Sequence, residues 1–364
     1  MTKLLPSSPY MFDCNVIAID LAKNLFQVCK TDKNGQVIYN KAISRAKLKG
    51  LLIKEKKSLV AMESCSSTHY WARFAKQVGH YVKAINARQV KAFRQGQKTD
   101  ANDALAISVA ARQPHIKESR LLSVQEQCLQ GIECMRDLLV KQKVNLSNQL
   151  RALLLELGHA IAQGDAQLIQ AIPGILEDAE NDLTHRFRFS IQLTFRRFIG
   201  TIEEVKLIEE KLREIVKQDP ICTRLQALEG VGPVCAILMK IALGNTTHFK
   251  NGREAAACLG LTPVQHSSGG KEKIGSISKV IGNKKLRSAL YKGALAVVCQ
   301  LEKRESRSQK DIWLRELTVR RGKKIAAIAL ANKTVRTAFA LLSIMQSISH
   351  NYLWLKLVRK SVLK

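Results

Sequence analysis

The chain is short of acidic residues, and it holds no long uninterrupted apolar run, no CxxC pair and no glycine-rich nucleotide loop. Each absence removes a class of protein. Without about 18 consecutive apolar residues a membrane span is not expected, and the opening Met1-Thr-Lys-Leu-Leu-Pro-Ser-Ser lacks the apolar core of a secretory leader. The expected address is the cytoplasm, in association with the nucleoid. The nine cysteines, at 14, 29, 65, 128, 134, 222, 235, 258 and 299, lie mostly in apolar runs. They read as small buried hydrophobes in a reducing compartment, with neither zinc nor disulfide. Neither GxxxxGK nor GxGxxG occurs, so the usual phosphate-loop and dinucleotide signatures are missing.

What the chain has in excess is positive charge. Its 364 residues carry 59 Lys and Arg against 30 Asp and Glu, a net +29. A self-repulsion of that size points to a polyanionic partner, with nucleic acid first. The excess is uneven, because residues 261–364 hold 22 basic side chains against 5 acidic ones. That third of the chain is therefore expected on phosphates. At about 150 residues per domain, the length suggests two or three units.

Against this background four carboxylates stand out. Asp20 closes the apolar run Asn15-Val-Ile-Ala-Ile-Asp20, and Glu63 closes Ser58-Leu-Val-Ala-Met-Glu63, both short and β-branched enough for buried strands. Asp100 and Asp103 lie in Lys98-Thr-Asp-Ala-Asn-Asp103, just before the apolar-periodic run 104–111. Spacing i, i+3 sets that pair on one face of a helix's first turn. Singly, each acid has an ordinary use as a turn or helix cap. Together, two strand ends and one helix start would gather four like charges that only a hard divalent cation, Mg²⁺ or Mn²⁺, would compensate.

The first 115 residues alternate strand and helix signals. Strands near 25–31 and 36–43 are joined by the turn Asp32-Lys-Asn-Gly35, and a helix near 45–55 leads to the Glu63 strand. A helix near 68–78 and a strand near 80–85 follow. Three hairpin strands, then helix, strand, helix and strand, is the ribonuclease-H-like order of an α/β three-layer domain. Leucines recur at helical spacing over 123–157, and a second amphipathic stretch covers about 190–217, with a Gly- and Pro-containing connector at 158–173 between them. The two long helices pair either within the chain or with another protomer.

Residues 225–243 read as helix, Gly-Val-Gly turn and helix, a helix-hairpin-helix whose glycines would let the backbone approach a phosphate. A plain helical corner would use the same glycines. A helix ending in Leu259-Gly-Leu-Thr-Pro263 is followed by a polar loop over 264–273, where Ser267 and Ser268 precede two glycines among lysines. Such a loop serves either as linker or as the seat of a nucleophilic hydroxyl beside a phosphate-sized space. From Ser276 a basic helix is expected to present a phosphate-contacting face.

With these pieces in order, the chain resembles the DEDD transposases of the bridge-RNA-guided insertion-sequence family, relatives of the pilin-gene inverting recombinases. The resemblance rests on Ile17-Ala-Ile-Asp20-Leu-Ala-Lys23, Met62-Glu63-Ser64, Asn86-Ala-Arg88 and Lys98-Thr-Asp100-Ala-Asn-Asp103. Its second half rests on Leu228-Glu-Gly-Val-Gly232, Cys258-Leu-Gly-Leu-Thr-Pro263, Ser268-Gly-Gly270, Ile277-Ser-Lys279, Gly282-Asn283 and Leu286-Arg287. It implies a RuvC-like catalytic domain over 1–115, a long-helix or coiled-coil segment over 116–220 and a C-terminal transposase domain over 221–364. It implies a metal-binding set of Asp20, Glu63, Asp100 and Asp103, and a catalytic serine matching Ser268, with Ser267 one residue away. It further implies a phosphoserine DNA intermediate, Mg²⁺ (or Mn²⁺), DNA as substrate at element ends and target, a guide RNA encoded by the element, and a homo-oligomer, dimer or tetramer. Lys91, Arg94, Lys98, Lys271, Lys273, Lys279 and Arg287 are the expected backbone contacts. A metal-dependent nuclease using water, or a non-catalytic RNA-binding scaffold, would draw on many of the same features.

Overall fold

The computed structural model describes residues 13–278, 282–306 and 308–362, with side chains described as far as Gln346. It divides into two compact units, residues 1–125 and 126–364.

The first unit is built on a five-stranded sheet of order β3-β2-β1-β4-β5. The strands are β1 (Val16–Asp20), β2 (Leu25–Thr31), β3 (Val37–Ser44), β4 (Leu59–Glu63) and β5 (Tyr81–Ile85). β1, β4 and β5 run parallel, and β2 runs antiparallel to both of its neighbours. The helices are α1 (Arg45–Lys54), α2 (Thr68–Gln77), α3 (Ala87–Lys91) and α4 (Asp100–Arg112). The order of strands and helices is the one expected from the sequence.

The central strand explains the layering. Val16 to Ile19 are all fully buried, so β1 has no solvent face and must be covered on both sides. Val16 and Ala18 pack with Ala104, Ile107 and Ala111 of α4, whereas Ile17 and Ile19 pack with Leu48 and Leu52 of α1 and Trp71 of α2. The small alanines of α4 let it lie close against the sheet, which brings its first turn to the ends of β1 and β4.

The second unit is mainly helical. The long helices α5 (Val124–Leu155) and α7 (His185–Gln218) flank α6 (Asp165–Glu177), and Leu150, Leu154, Leu168, Ile172, Ile191 and Phe198 form one core. Residues 165–173, expected in a connector, are helical with Pro173 inside α6. Proline costs an intrahelical hydrogen bond; burial of Leu168 and Ile172 against α5 and α7 outweighs that local cost, and no local pattern reports it. Next come α8 (Pro220–Gln226), α9 (Pro233–Leu243), a 3₁₀ turn at Thr246–His248 and α10 (Gly252–Cys258). A two-stranded hairpin, β6 (Pro263–Ser268) and β7 (Lys271–Ile277), precedes α11 (Lys284–Leu301), α12 (Gln309–Arg321) and α13 (Lys323–Val362).

Two expectations fail here. The 264–273 loop is instead the β6–β7 hairpin, and the basic helix expected from Ser276 begins at Lys284 behind its N-cap Asn283. Gly269 and Gly270 both have positive φ, +55° and +75°, as a two-residue hairpin turn requires. The segment of α13 at residues 323–346 is long and apolar enough to cross a membrane by length and composition. It is a core helix of this unit, with Ala327, Ala331, Val335, Ala338 and Leu342 buried where it packs on α10, α11 and α12.

Candidate active site

Asp20 and Glu63 are the last residues of β1 and β4, which are neighbours in parallel register with Ile19 opposite Met62. Their side chains therefore leave the sheet at the same edge. The chain after Glu63 is held firmly: Ser64 N donates to Ile85 O at 2.8 Å, and Thr68 Oγ1 donates to the Glu63 carbonyl at 2.8 Å. Asp100 and Asp103 occupy the first turn of α4. Thr99 caps that helix, its hydroxyl accepting from Asn102 N at 3.3 Å and its carbonyl from Asp103 N at 2.9 Å.

A contact invisible to sequence reasoning ties this turn to the sheet. Asn40 of β3 donates Nδ2 to the Ala101 carbonyl at 2.9 Å and accepts from Gln27 Nε2 of β2 at 2.7 Å. One carboxamide thus fixes the start of α4 over the strands.

Asp20 lies within electrostatic reach of the other three acids, and Glu63 within reach of Asp103. Burial, then the charges of Asp103, Asp100 and Glu63, push the Asp20 carboxyl up to about 6, with Lys98 pulling the other way. Glu63 is raised by burial and by Asp103, and lowered by Lys98 and Arg94. Two cations therefore balance the cluster. Arg94, expected on a phosphate, makes an ion pair with Asp103, Nη1 to Oδ1 at 3.2 Å. Among the described residues, no three Asp, Glu, His or Cys side chains stand close enough together to hold a metal ion as they are. The donor set itself is all carboxylate oxygen, which suits a hard divalent cation.

Ser267 and Ser268 lie at the exposed end of β6. Ser268 is paired across the ladder with Lys271, Ser267 with Glu272, and His266 with Lys273. Gln265 Nε2 donates to Ser267 Oγ at 3.3 Å. Lys91, Lys98, Lys271 and Lys273 are exposed, and Arg287 is half-buried on α11. Lys279 lies outside the described residues.

The Gly-Val-Gly turn before α9 divides its two glycines between two roles. A Cβ on Gly230 (φ +77°) would stand 2.8 Å from the carbonyl carbon of Gly293, so this glycine lets the turn pack directly on α11. The expectation that it opens the backbone to a phosphate is replaced by that contact. Gly232 faces open space and serves as N-cap of α9. A cavity of about 540 Å³ opens beside it, lined by Arg136, Lys284, Lys285, Ser288 and Lys292 among others. Lys285 there is paired with Glu133 at 3.2 Å and Asp137 at 3.4 Å.

Comparison with known proteins defines the class these features belong to. Residues 17–159 match the transposase profile of the IS110 DEDD type, and residues 222–310 match the profile "Transposase IS116/IS110/IS902 family". The chain is 33% identical to "Transposase for insertion sequence element IS1111A" of Coxiella burnetii, over 92% of this chain and 91% of that protein. It is 36% identical to "Probable family 20 transposase" of Pseudomonas aeruginosa over 90% and 96%, respectively. For "Transposase for insertion sequence element IS1328" of Yersinia enterocolitica the identity is 32% over 90% and 97%. The chain is a DNA transposase of the DEDD class. Within that class it belongs to the IS110/IS116/IS902 family.

Proposed function

We propose that this transposase cleaves and exchanges DNA strands at the ends of a mobile element through a phosphoserine intermediate, with Asp20, Glu63, Asp100 and Asp103 binding Mg²⁺ or Mn²⁺ and Ser268 as nucleophile. The observation that carries the reading is the Asp20 carboxyl, pushed up to about 6 by burial first and then by the charges of Asp103, Asp100 and Glu63. Carboxylates forced together at an energetic cost are what a cation site requires before its ion arrives. When bound, the ion neutralises charge on the scissile phosphodiester and helps fix its in-line geometry.

The residues of the chain supply the rest. The strand ends of β1 and β4 hold Asp20 and Glu63 on a rigid, fully buried scaffold. Asp103 joins them on release from Arg94, which is then free to meet a phosphate beside Lys98 and Lys91. Ser268 supplies the attacking oxygen, and the ester it forms conserves the energy of the phosphodiester, so a second strand end can displace it without ATP. Lys271, Lys273, Lys279 and Arg287 contact backbone phosphates near the hairpin.

The ribonuclease-H-like order of the first unit supports a RuvC-like assignment for residues 1–115, followed by a long-helix segment over 116–220 and a transposase domain over 221–364. Residues 220–243 act as a helix-hairpin-helix, through Gly232 and the first turn of α9. The net +29 suits two duplexes together with a guide RNA, encoded beside the gene, that pairs with target and donor DNA, as in the bridge-RNA-guided elements and their pilin-inverting relatives. The long helices support a homo-oligomer whose protomers share active-site parts, working on nucleoid DNA in the cytoplasm.

The test is strand cleavage of a duplex bearing the element end that flanks the gene, with any flanking structured RNA supplied. Cleavage that needs Mg²⁺ and disappears in Asp20→Ala, with nucleic-acid binding retained, supports the reading. Undiminished cleavage by Asp20→Ala removes the acids from the chemistry.

A further inference from the structure

We infer that His266 is the general base that takes the proton from Ser268, a role that rests on the serine-nucleophile reading above. On a β-strand, residues i and i+2 share a face about 7 Å apart, and directly opposed residues of an antiparallel pair share that face too. The register of β6 with β7 therefore sorts the hairpin into two sides. Ser268, His266, Lys271 and Lys273 lie on one. Ser267, Gln265, Glu272 and Ile274 lie on the other.

The two sides differ in what they offer a phosphodiester. On the Ser267 side, Glu272 stands directly opposite the hydroxyl and would repel the phosphate, and Gln265 already hydrogen-bonds that hydroxyl. On the Ser268 side, two lysines attract the phosphate, and His266 is the residue with a nitrogen able to accept a proton. Proton transfer requires the imidazole and the hydroxyl to lean toward each other across the step of about 7 Å between the two residues. The charged groups facing His266 are Lys273 across the ladder and Lys271 diagonally, both from β7, the strand packed against it. The same sorting selects Ser268 over its neighbour.

The step balances. Ser268 Oγ bonds to phosphorus while the bond from phosphorus to one deoxyribose oxygen breaks. The Oγ proton passes to a ring nitrogen of His266, and the departing oxygen, on the far side of phosphorus, takes a proton from solvent water and leaves as a hydroxyl. In the second displacement an incoming strand-end hydroxyl loses its proton to solvent as its oxygen bonds to phosphorus from the far side, and the imidazolium of His266 returns its proton to Ser268 Oγ as that oxygen departs. Apart from solvent water, no oxidant, reductant or further reactant enters.

The experiment measures the rate of covalent protein–DNA adduct formation by the full chain on its element-end duplex, alongside DNA affinity. His266→Ala and His266→Gln are expected to fold and to bind DNA as the parent does, because the side chain is exposed. Adduct formation is expected to slow about 10²–10⁴-fold, the usual worth of a general base. Added imidazole is expected to restore much of the rate in His266→Ala and none in His266→Gln, which leaves no space for it. A wild-type rate in both variants, a loss fully accounted for by weaker DNA binding, or a failure of imidazole to rescue overturns the inference. Ser268→Ala separates the two levels of the reading. If it still forms the adduct, the nucleophile assignment falls and this inference with it; if it is silent while His266→Ala is fast, the inference alone falls.

Discussion

Replacing Asp20 with asparagine should make the metal-free protein more stable while abolishing its chemistry. Asn keeps the shape of the side chain and removes the charge that burial and three neighbouring carboxylates oppose. A rise from 3.8 to about 6 corresponds to about 3 kcal/mol if taken whole. Asp20 is only half-buried, so water screens much of this, and about 1 kcal/mol is the figure to expect. For a unit of this size that corresponds to an increase of about 3–6 °C in Tm. The sign with pH follows from linkage. The folded-state value lies above the unfolded one, so the cost is fully present above about pH 6, where Asp20 is ionised in both states. It fades as pH falls through 6 towards 3.8, because the folded protein takes up the proton first. Thermal denaturation in a chelating buffer should therefore show Asp20→Asn melting above wild type at pH 7.5 and with it near pH 4. Adding Mg²⁺ should raise the wild-type Tm and close the gap, since an ion bound only by the native state stabilises it. A variant that melts at or below wild type at pH 7.5, or a gap unchanged at pH 4, would show that the Asp20 charge carries no such cost.

Other perturbations test neighbouring parts of the site. Arg94→Gln removes the cation paired with Asp103, so divalent-ion affinity read by calorimetry should rise a few-fold, about 0.5–1 kcal/mol; an unchanged or weaker affinity would mean that Arg94 does not compete for the acids. Asn40→Ala breaks both hydrogen bonds that anchor α4 and should cost about 1–2 kcal/mol in chemical denaturation, with faster amide exchange in the first turn of that helix. Gly230→Ala drives a Cβ into the Gly293 backbone at a positive φ and should destabilise the second unit by about 2 kcal/mol or more; a neutral effect would show that the turn and α11 separate readily.

Legibility in the sequence followed how local each cause was. β1 and β4 were readable because a strand covered on both faces is a short unbroken apolar run, and an acid at its end stands out. The start of α4 is legible because Asp100 and Asp103 stand just before an apolar-periodic run, a signal that acts within one turn, although the cap itself falls on Thr99 rather than on an acid. α6 was missed because Pro173 argues locally against a helix, while its support comes from Leu168 and Ile172 meeting α5 and α7. The Ser267-Ser268-Gly269-Gly270 segment reads as a loop because composition alone does not separate a linker from a hairpin; the Gly-Gly pair is the local signal, and cross-strand pairing decides it. The Arg94–Asp103 pair and the Asn40 anchor had no local signal, since each joins groups brought together only by folding. Gly230 carries no local sign of its contact with Gly293, which lies far along the chain.

In the proposed reaction the acids position a phosphodiester and a serine does the bonding. The most direct measurement is mass spectrometry of the peptide linked to DNA after the reaction is stopped in denaturant. A phosphodiester-linked nucleotide is expected on Ser268 that forms with Mg²⁺, is lost in Ser268→Ala and Asp20→Ala, and disappears when a strand-end acceptor is added. Cleaved DNA with no protein attached at any time, and full cleavage by Ser268→Ala, would contradict it and identify water as the nucleophile.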